Sequence, residues 1–470
     1  MSEAAFRVVM TLAFYPRGGS AQVARYLGRA LGGHGVDVTL CCGSLGFPGS
    51  NSHAQTFFAG LDVHELDFTD AVARFERGED PMAAPVPMQP SFEDRPDVPD
   101  RVFASLDQAA YRRQVAAWRG LLERVDPPDL YHIHHLTHVN DAVMALGETR
   151  VVVHLHGTEL KMLDAIRHGA ADSWPFALAW QHRLQAAAQR ASRLVTVSST
   201  DRDLASELLA VDSDSIDVVP NGVDIGRFSA DRLPPEEQQA FWRRWLVEDP
   251  QGWDETGEAG SVRYSVCDLQ QGFLHPLTGE PLPVMLFVGR FLGFKRVPLL
   301  VRAYAMARSV LGASAPPLVI WGGYPGEWEG EHPHSVVESL GVDGVFFAGW
   351  RGHDDLSVAL NCADVFVAPS VDEPFGQVYL EAMAAGLPVI ATRSGGPPSF
   401  VSTEPARPSG WLVTPDAEHE LADTIVTAAK SATERQRRGR QGREIVERDF
   451  DWRQIARRFE SIYYEAARTP

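Results

Sequence analysis

With 470 residues, 44% hydrophobic and 22% charged, the chain has the make-up of a globular protein with room for two domains of ordinary size. Its 43 basic and 62 acidic residues leave a formal net charge of −19, which repels a nucleic-acid backbone or an anionic membrane surface at long range. No apolar run reaches membrane length, and the early run at 8–15 alternates like a buried strand before Pro16-Arg17-Gly18-Gly19, so a cytoplasmic protein without a secretion signal is expected.

In chain order, FRVVMTLAFYP reads as a strand, AQVARYLGRALGGHG as a helix and VDVTLCC as a second strand. A short crossover of this kind makes the sheet parallel. Further strands are expected at DLYHIHH, RVVVHLHG, RLVTVSS and SIDVVPNG, with helices between them. Together they predict a doubly wound α/β domain over 1–225. Residues 79–101 interrupt it with a run too rich in proline and acid for regular structure, which is expected to be functional or disordered. A second interruption, 232–283, falls near the domain boundary.

A second α/β domain is expected over 226–451, with strands at PVMLFVGR, PLVIWGG, VFFAGW, DVFVAPS, LPVIAT and WLVTP. The basic stretch 422–443 reads as a solvated helix face. The last helix, 452–468, carries Trp452, Ile455, Phe459, Ile462 and Tyr463 on one apolar face. The four cysteines, Cys41, Cys42, Cys267 and Cys362, have neither metal spacing nor the density of a disulfide framework. Only three of the basic residues are lysine, Lys161, Lys295 and Lys430, so each invites a reason.

The chemistry concentrates at strand-to-helix turns. EPFGQVYLE sets Glu373 just outside a helix start and Glu381 about two turns along it, a spacing that suits an elongated ligand with hydroxyls at both ends. VGRFLGFKR sets Arg290 and Lys295 in a short loop after a strand that ends at Gly289. Two cations with backbone N–H groups make a diphosphate clamp, though a surface loop is also often basic. Gly18 and Gly19 let backbone approach a ligand, or simply supply a turn; no GxGxxG fingerprint supports a dinucleotide. HLHG (His154, His156) and YHIHH (His132, His134, His135) have a spacing that can bind metal and can equally place core histidines. No cysteine or carboxylate cluster completes a tetrahedron, so no metal is expected. His156, before Gly157 at a strand's carboxyl end, is the best candidate for a cleft histidine.

EPFGQVYLEAMAAGLPVIATRSGG resembles the donor-binding block of the retaining glycosyltransferases of family 4, which share the two-domain GT-B fold. VVPNGVDIGRF, VGRFLGFKR, the Gly-Gly after the first strand and HGTEL are similar to further segments of that family, in the expected order. The resemblance implies two Rossmann-like domains facing a central cleft, with the C-terminal helix packing back on the first. It implies a hexose-type sugar moved from a UDP or GDP sugar with retained anomeric configuration. Glu373 would contact the sugar and Glu381 the ribose. Phe375, Gly376 and Gln377 would line sugar and phosphate. Arg290 and Lys295 would hold the diphosphate, with Gly19 approaching it from the other domain. His156 would lie near the sugar, and Trp350 and Arg351 near the nucleobase. No metal or cofactor beyond the nucleotide sugar is implied. The expected acceptor is a small molecule, such as a specialised metabolite, thiol or alcohol. A lipid-linked or polysaccharide glycan is the alternative, and a non-catalytic sugar-nucleotide binder the rival of another class. Membrane association is disfavoured.

Overall fold

The computed structural model describes residues 5–95, 97–148 and 150–468. They divide into two compact units, one running to Gly222 and resuming at Trp452, the other Val223–Asp451. The first break thus falls at 222 and not at 225.

In the first unit, strands β1 (Phe6–Leu12), β2 (Val36–Ser44), β3 (Asp62–Asp67), β4 (Leu130–His134), β5 (Val151–His154), β6 (Arg193–Thr196) and β7 (Ile216–Val218) make one parallel sheet in the order β3-β2-β1-β4-β5-β6-β7. The central strands β1, β4 and β5 are buried along nearly their whole length, because helices cover both faces of a parallel sheet. The helix Trp452–Arg468 belongs to this unit and buries Ile455, Phe459, Ile462 and Tyr463. At its start Trp452 stacks on Tyr26 of the helix Gly18–Gly32, ring centroids 6.1 Å apart at 17°.

Residues 79–101 hold little regular structure beyond the short turn Pro81–Ala83, yet they are firmly tied down. Gln89 is fully buried and accepts from the Tyr15 backbone N–H at 2.7 Å. Asp100, also buried, pairs with Arg17 at 2.7 Å and with Arg95 at 3.0 Å. Buried polar contacts order this segment where a backbone ladder does not. They pin it to the loop after β1, beside Gly18.

The second unit repeats the plan. Strands β8 (Met285–Gly289), β9 (Leu318–Gly322), β10 (Val345–Gly349), β11 (Val365–Val367), β12 (Val389–Thr392) and β13 (Gly410–Val413) are parallel, in the order β10-β9-β8-β11-β12-β13. The interruption at 232–283 is an extension of this unit's core. It carries the helices Pro235–Arg243 and Val266–Phe273 with a π-helical turn, Arg244–Glu248, between them. Trp242 Nε1 donates to the Cys362 carbonyl at 3.1 Å and Trp253 Nε1 to the Gly323 carbonyl at 3.0 Å. Tyr264 Oη accepts from the Phe347 N–H at 2.9 Å. The aromatic bodies are buried while each polar tip finds backbone. The expected solvated basic face is corrected too: on the helix Ala432–Asp449, Arg435 donates to the carbonyls of Ala428 and Ala429, Arg443 donates to that of Phe228, and Arg438 lies over the Trp411 ring. Five-donor guanidinium groups bind several carbonyls at once, which a solvated side chain would leave to water.

Candidate functional site

In an open α/β sheet, ligands bind beyond the carboxyl ends of the strands where the strand order reverses. That point lies between β1 and β4 in the first unit and between β8 and β11 in the second. The candidate residues gather at these ends.

In the second unit, β8 ends at Gly289 and Arg290 follows it, exposed. A short 3-10 turn, Gly293–Lys295, then leads into the helix Val297–Leu311. The Val371 N–H donates to the Phe294 carbonyl at 2.8 Å, so this loop and the loop after β11 hold each other in place. Across that link Lys295 Nζ lies 2.5 Å from Glu373 Oε2, with side chains 14% and 10% exposed. A charge-assisted bond this well shielded is strong and directional. The cation and the acid, set apart by 78 positions of chain, form one unit.

Glu373 is positioned by its neighbours' backbone. Gly396 N–H donates to the Glu373 carbonyl at 2.7 Å, and a Cβ on Gly395 would lie 2.3 Å from the same oxygen. Only glycine fits there. Pro374–Gly376 stay outside the helix: Gly376 has φ 92°, a left-handed conformation that caps the helix Gln377–Ala384. That places Glu381 one turn into the helix and not two, a correction that follows from Gly376 delaying the helix start. Phe375 is buried against Phe400, leaving Gly376 and Gln377 to present the helix N-terminus. No acidic side chain stands in the helix's own first turn, and Glu373 lies just before it.

Glu381, 4% exposed, does not meet Glu373's partner. Its Oε1 lies 3.0 Å from Nε2 of His353, the first residue of the helix His353–Asn361. Trp350, directly after β10, is 46% exposed and meets Tyr324, 49% exposed and just past β9, edge to face at 5.4 Å. Arg351 points elsewhere. Its guanidinium bonds Asp249 at 2.7 Å, the Trp245 carbonyl at 3.0 Å and the Asp249 carbonyl, and lies over the Trp245 ring at 4.0 Å. It fastens the extension to the sheet end, which occupies the donors a nucleobase would need.

Gly18, Gly19 and His156 belong to the first unit. Gly18 and Gly19 are exposed, with open space where a Cβ would stand. His156 is half-buried in a layer of imidazoles. Its Nε2 lies 2.9 Å from His134 Nδ1, its ring is 4.5 Å from that of His135, and its backbone N–H donates to Glu159 Oε1 at 3.3 Å. Glu159 is fully buried and also lies 3.2 Å from His135 Nδ1. Burial, reinforced by neighbouring imidazoles, holds His134, His154 and His156 well below the usual histidine range, and burial alone pushes His132 and His138 down to about 3. His132, His134 and His154 bring ligating nitrogens within 4.8 Å of one another.

His353, Tyr324 and Glu159 escape a reading of the sequence. Tyr324 and His353 do follow strands at their carboxyl ends, the signal that marked Arg290. Glu159 has no such signal, since its importance comes from burial alone.

Two family models match the chain: Glycosyltransferase Family 4 over residues 17–227 and Glycosyl transferases group 1 over 282–431. Among curated relatives, a D-inositol 3-phosphate glycosyltransferase of Saccharomonospora viridis is 36% identical over 39% of this chain and 43% of its own length. Its counterpart in Stackebrandtia nassauensis is 28% identical over 73% of this chain and 70% of its own. The sulfoquinovosyl transferase SQD2 of Arabidopsis thaliana is 35% identical over 27% of this chain and 24% of its own length, so the chain spans less than half of two of these relatives. Among solved structures, sucrose-phosphate synthase of Thermosynechococcus elongatus superposes with a TM-score of 0.66 at 20% identity, covering 98% of both chains. HepE of Anabaena in complex with UDP and glucose gives 0.64 at 16% identity, covering 98% of this chain and 99% of its own. These likenesses are of fold.

Proposed function

Because this chain belongs to the family 4 glycosyltransferases of GT-B fold, we propose that it moves a hexose-type sugar from a UDP or GDP sugar to a small polar acceptor, keeping the anomeric configuration. The observation that carries this reading is the Lys295–Glu373 contact beside the N-terminus of the helix Gln377–Ala384. A cation, an acid and a helix N-terminus at one strand end suit a sugar joined to a diphosphate. Glu373 accepts from sugar hydroxyls, and Lys295 and Arg290 take the charge that develops on the leaving diphosphate. Phe375, Gly376 and Gln377 bring backbone to the phosphate. Glu381, oriented by His353, accepts from the ribose hydroxyls, and Trp350 with Tyr324 offers the nucleobase an aromatic face.

The first unit supplies acceptor-binding residues, with His156 and the open glycines Gly18 and Gly19 at its strand ends. The acceptor attacks from the leaving-group face and passes its proton to a phosphate oxygen, so the reaction requires no protein nucleophile and no metal at the diphosphate. The names of the inositol phosphate transferases support a small polyol acceptor.

Incubation with UDP- and GDP-hexoses and a panel of acceptors, inositol 3-phosphate among them, tests this directly. The expected result is nucleoside diphosphate release matched by one glycoside, with the donor's anomeric configuration read by NMR coupling. Inversion at that carbon overturns the mechanism. Tight donor binding with no turnover across small and glycan acceptors points instead to a sugar-nucleotide binding protein.

A further inference from the structure

Beneath the helix Trp452–Arg468, one face of the first unit's sheet is lined by three fully buried imidazoles. His132 and His134 stand two apart on β4, and His154 on β5 is paired in register with His134. Their polar atoms are not accounted for by the protein. His132 Nδ1 meets Tyr463 Oη at 2.5 Å and His134 Nδ1 meets His156 Nε2 at 2.9 Å. The Nε2 atoms of His132 and His134 and both ring nitrogens of His154 have no hydrogen-bond partner. Buried polar atoms left so are destabilising, and four in one spot is far from the usual scatter.

The arrangement has the dimensions of a coordination site. With Zn–N bonds of about 2.0–2.1 Å, three imidazoles on a tetrahedral ion set their ring centroids about 5 Å apart. The three centroids here form a triangle of 4.6, 5.5 and 5.4 Å. The ligating nitrogens lie within 4.8 Å of one another, against about 3.3 Å on a tetrahedral ion, so the stacked rings of His132 and His134 must turn inward to close the set. The supporting bonds also fit. With Nδ1–H of His132 donating to Tyr463 and that of His134 donating to His156, both Nε2 atoms are left as bare acceptors. This is the usual way in which a metal-binding histidine is held by its other nitrogen. Three unprotonated nitrogens this close repel one another. A water molecule has two hydrogens for them, whereas a cation satisfies all three.

We propose that His132, His134 and His154 bind one divalent cation of borderline softness, zinc foremost, and that the ion clamps β4 to β5 and, through His134, orients His156. All-nitrogen ligation selects zinc, cobalt, nickel or copper over magnesium and calcium. The site lies in the first unit and the cationic loop of Lys295 in the second.

The test uses the full chain without a histidine tag. Purified from zinc-supplemented cells, the wild type should carry about one metal ion per chain by mass spectrometry of the elements. Replacement by cobalt should give the visible absorption of a tetrahedral site. His132→Leu and His154→Phe should each reduce the metal content at least about tenfold. Where a variant fails to fold, the wild type unfolded in chelator and refolded with and without zinc decides, with a melting temperature several degrees higher expected with zinc. Less than about 0.1 ion per chain, with melting indifferent to zinc, overturns the proposal. So does metal content that both variants retain.

Discussion

The two units wind the same parallel sheet around the same reversal of strand order, yet they furnish it with opposite chemistry. In the first, buried imidazoles kept neutral by desolvation crowd around β4 and β5. In the second, a lysine is locked to one glutamate and a histidine to another, beside a helix N-terminus. The scaffold decides where a ligand can lie, and the side chains at the strand ends decide what charge it carries.

The sharpest way to break this contrast is at Lys295. Lys295→Ala and Glu373→Ala should each lower kcat about 100- to 1000-fold, measured on variants whose circular dichroism matches the wild type. Near-wild-type turnover in both would remove the second unit's claim to the chemistry.

Acid sharpens the contrast from the other side. His138, and His132 in the metal-free chain, have folded-state pKa values of about 3, below the unfolded value of about 6.5. Their folded pKa is depressed, so the unfolded chain binds protons first as the pH falls. The stability they confer is complete above about pH 6.5 and is lost progressively toward pH 3, at about 2 kcal/mol per histidine by pH 5. In the second unit His332 has a pKa of about 4 for the same reason, burial. Hydrogen exchange resolved by segment should therefore show the first unit losing protection at higher pH than the second. Equal midpoints would refute this.

Smaller effects separate the second unit's own residues. His353→Ala frees Glu381 and should raise the donor KM about tenfold while leaving kcat near its original value, the signature of lost uniform binding. Trp350→Ala should weaken UDP or GDP binding about fivefold by calorimetry, toward the low end of base stacking. Arg351→Ala should leave that affinity unchanged and lower the melting temperature by a few degrees, because the Trp245 and Asp249 carbonyls lose their donor.

Much of this was legible from residue order alone. Strand-length apolar runs alternating with helical periodicity identify two doubly wound sheets, since parallel strands are buried on both faces and read as continuous hydrophobic stretches. Lys295 stands out because lysine is rare here, and Glu373 because Pro-Phe-Gly holds it outside a helix. What stays hidden depends on contacts between distant segments. The pairing of Lys295 with Glu373 crosses 78 positions, and Arg351 is claimed by the Trp245–Asp249 turn, 102 positions from Asp249. Neither relation has a local pattern. The acidic, proline-rich run at 79–101 misleads for a related reason: composition suggests disorder, while Gln89 is held by the Tyr15 backbone and Asp100 by Arg17, both remote in sequence.

The placement of the helix Trp452–Arg468 bears on how the molecule is made. A ribosome emits the whole of Val223–Asp451 after it has finished the first sheet and before it releases the helix that covers it. At about 5–20 residues per second that interval is on the order of ten seconds or more. The domain synthesised first is thus the last to be sealed, and throughout that wait its histidines stand open to solutes and chaperones alike.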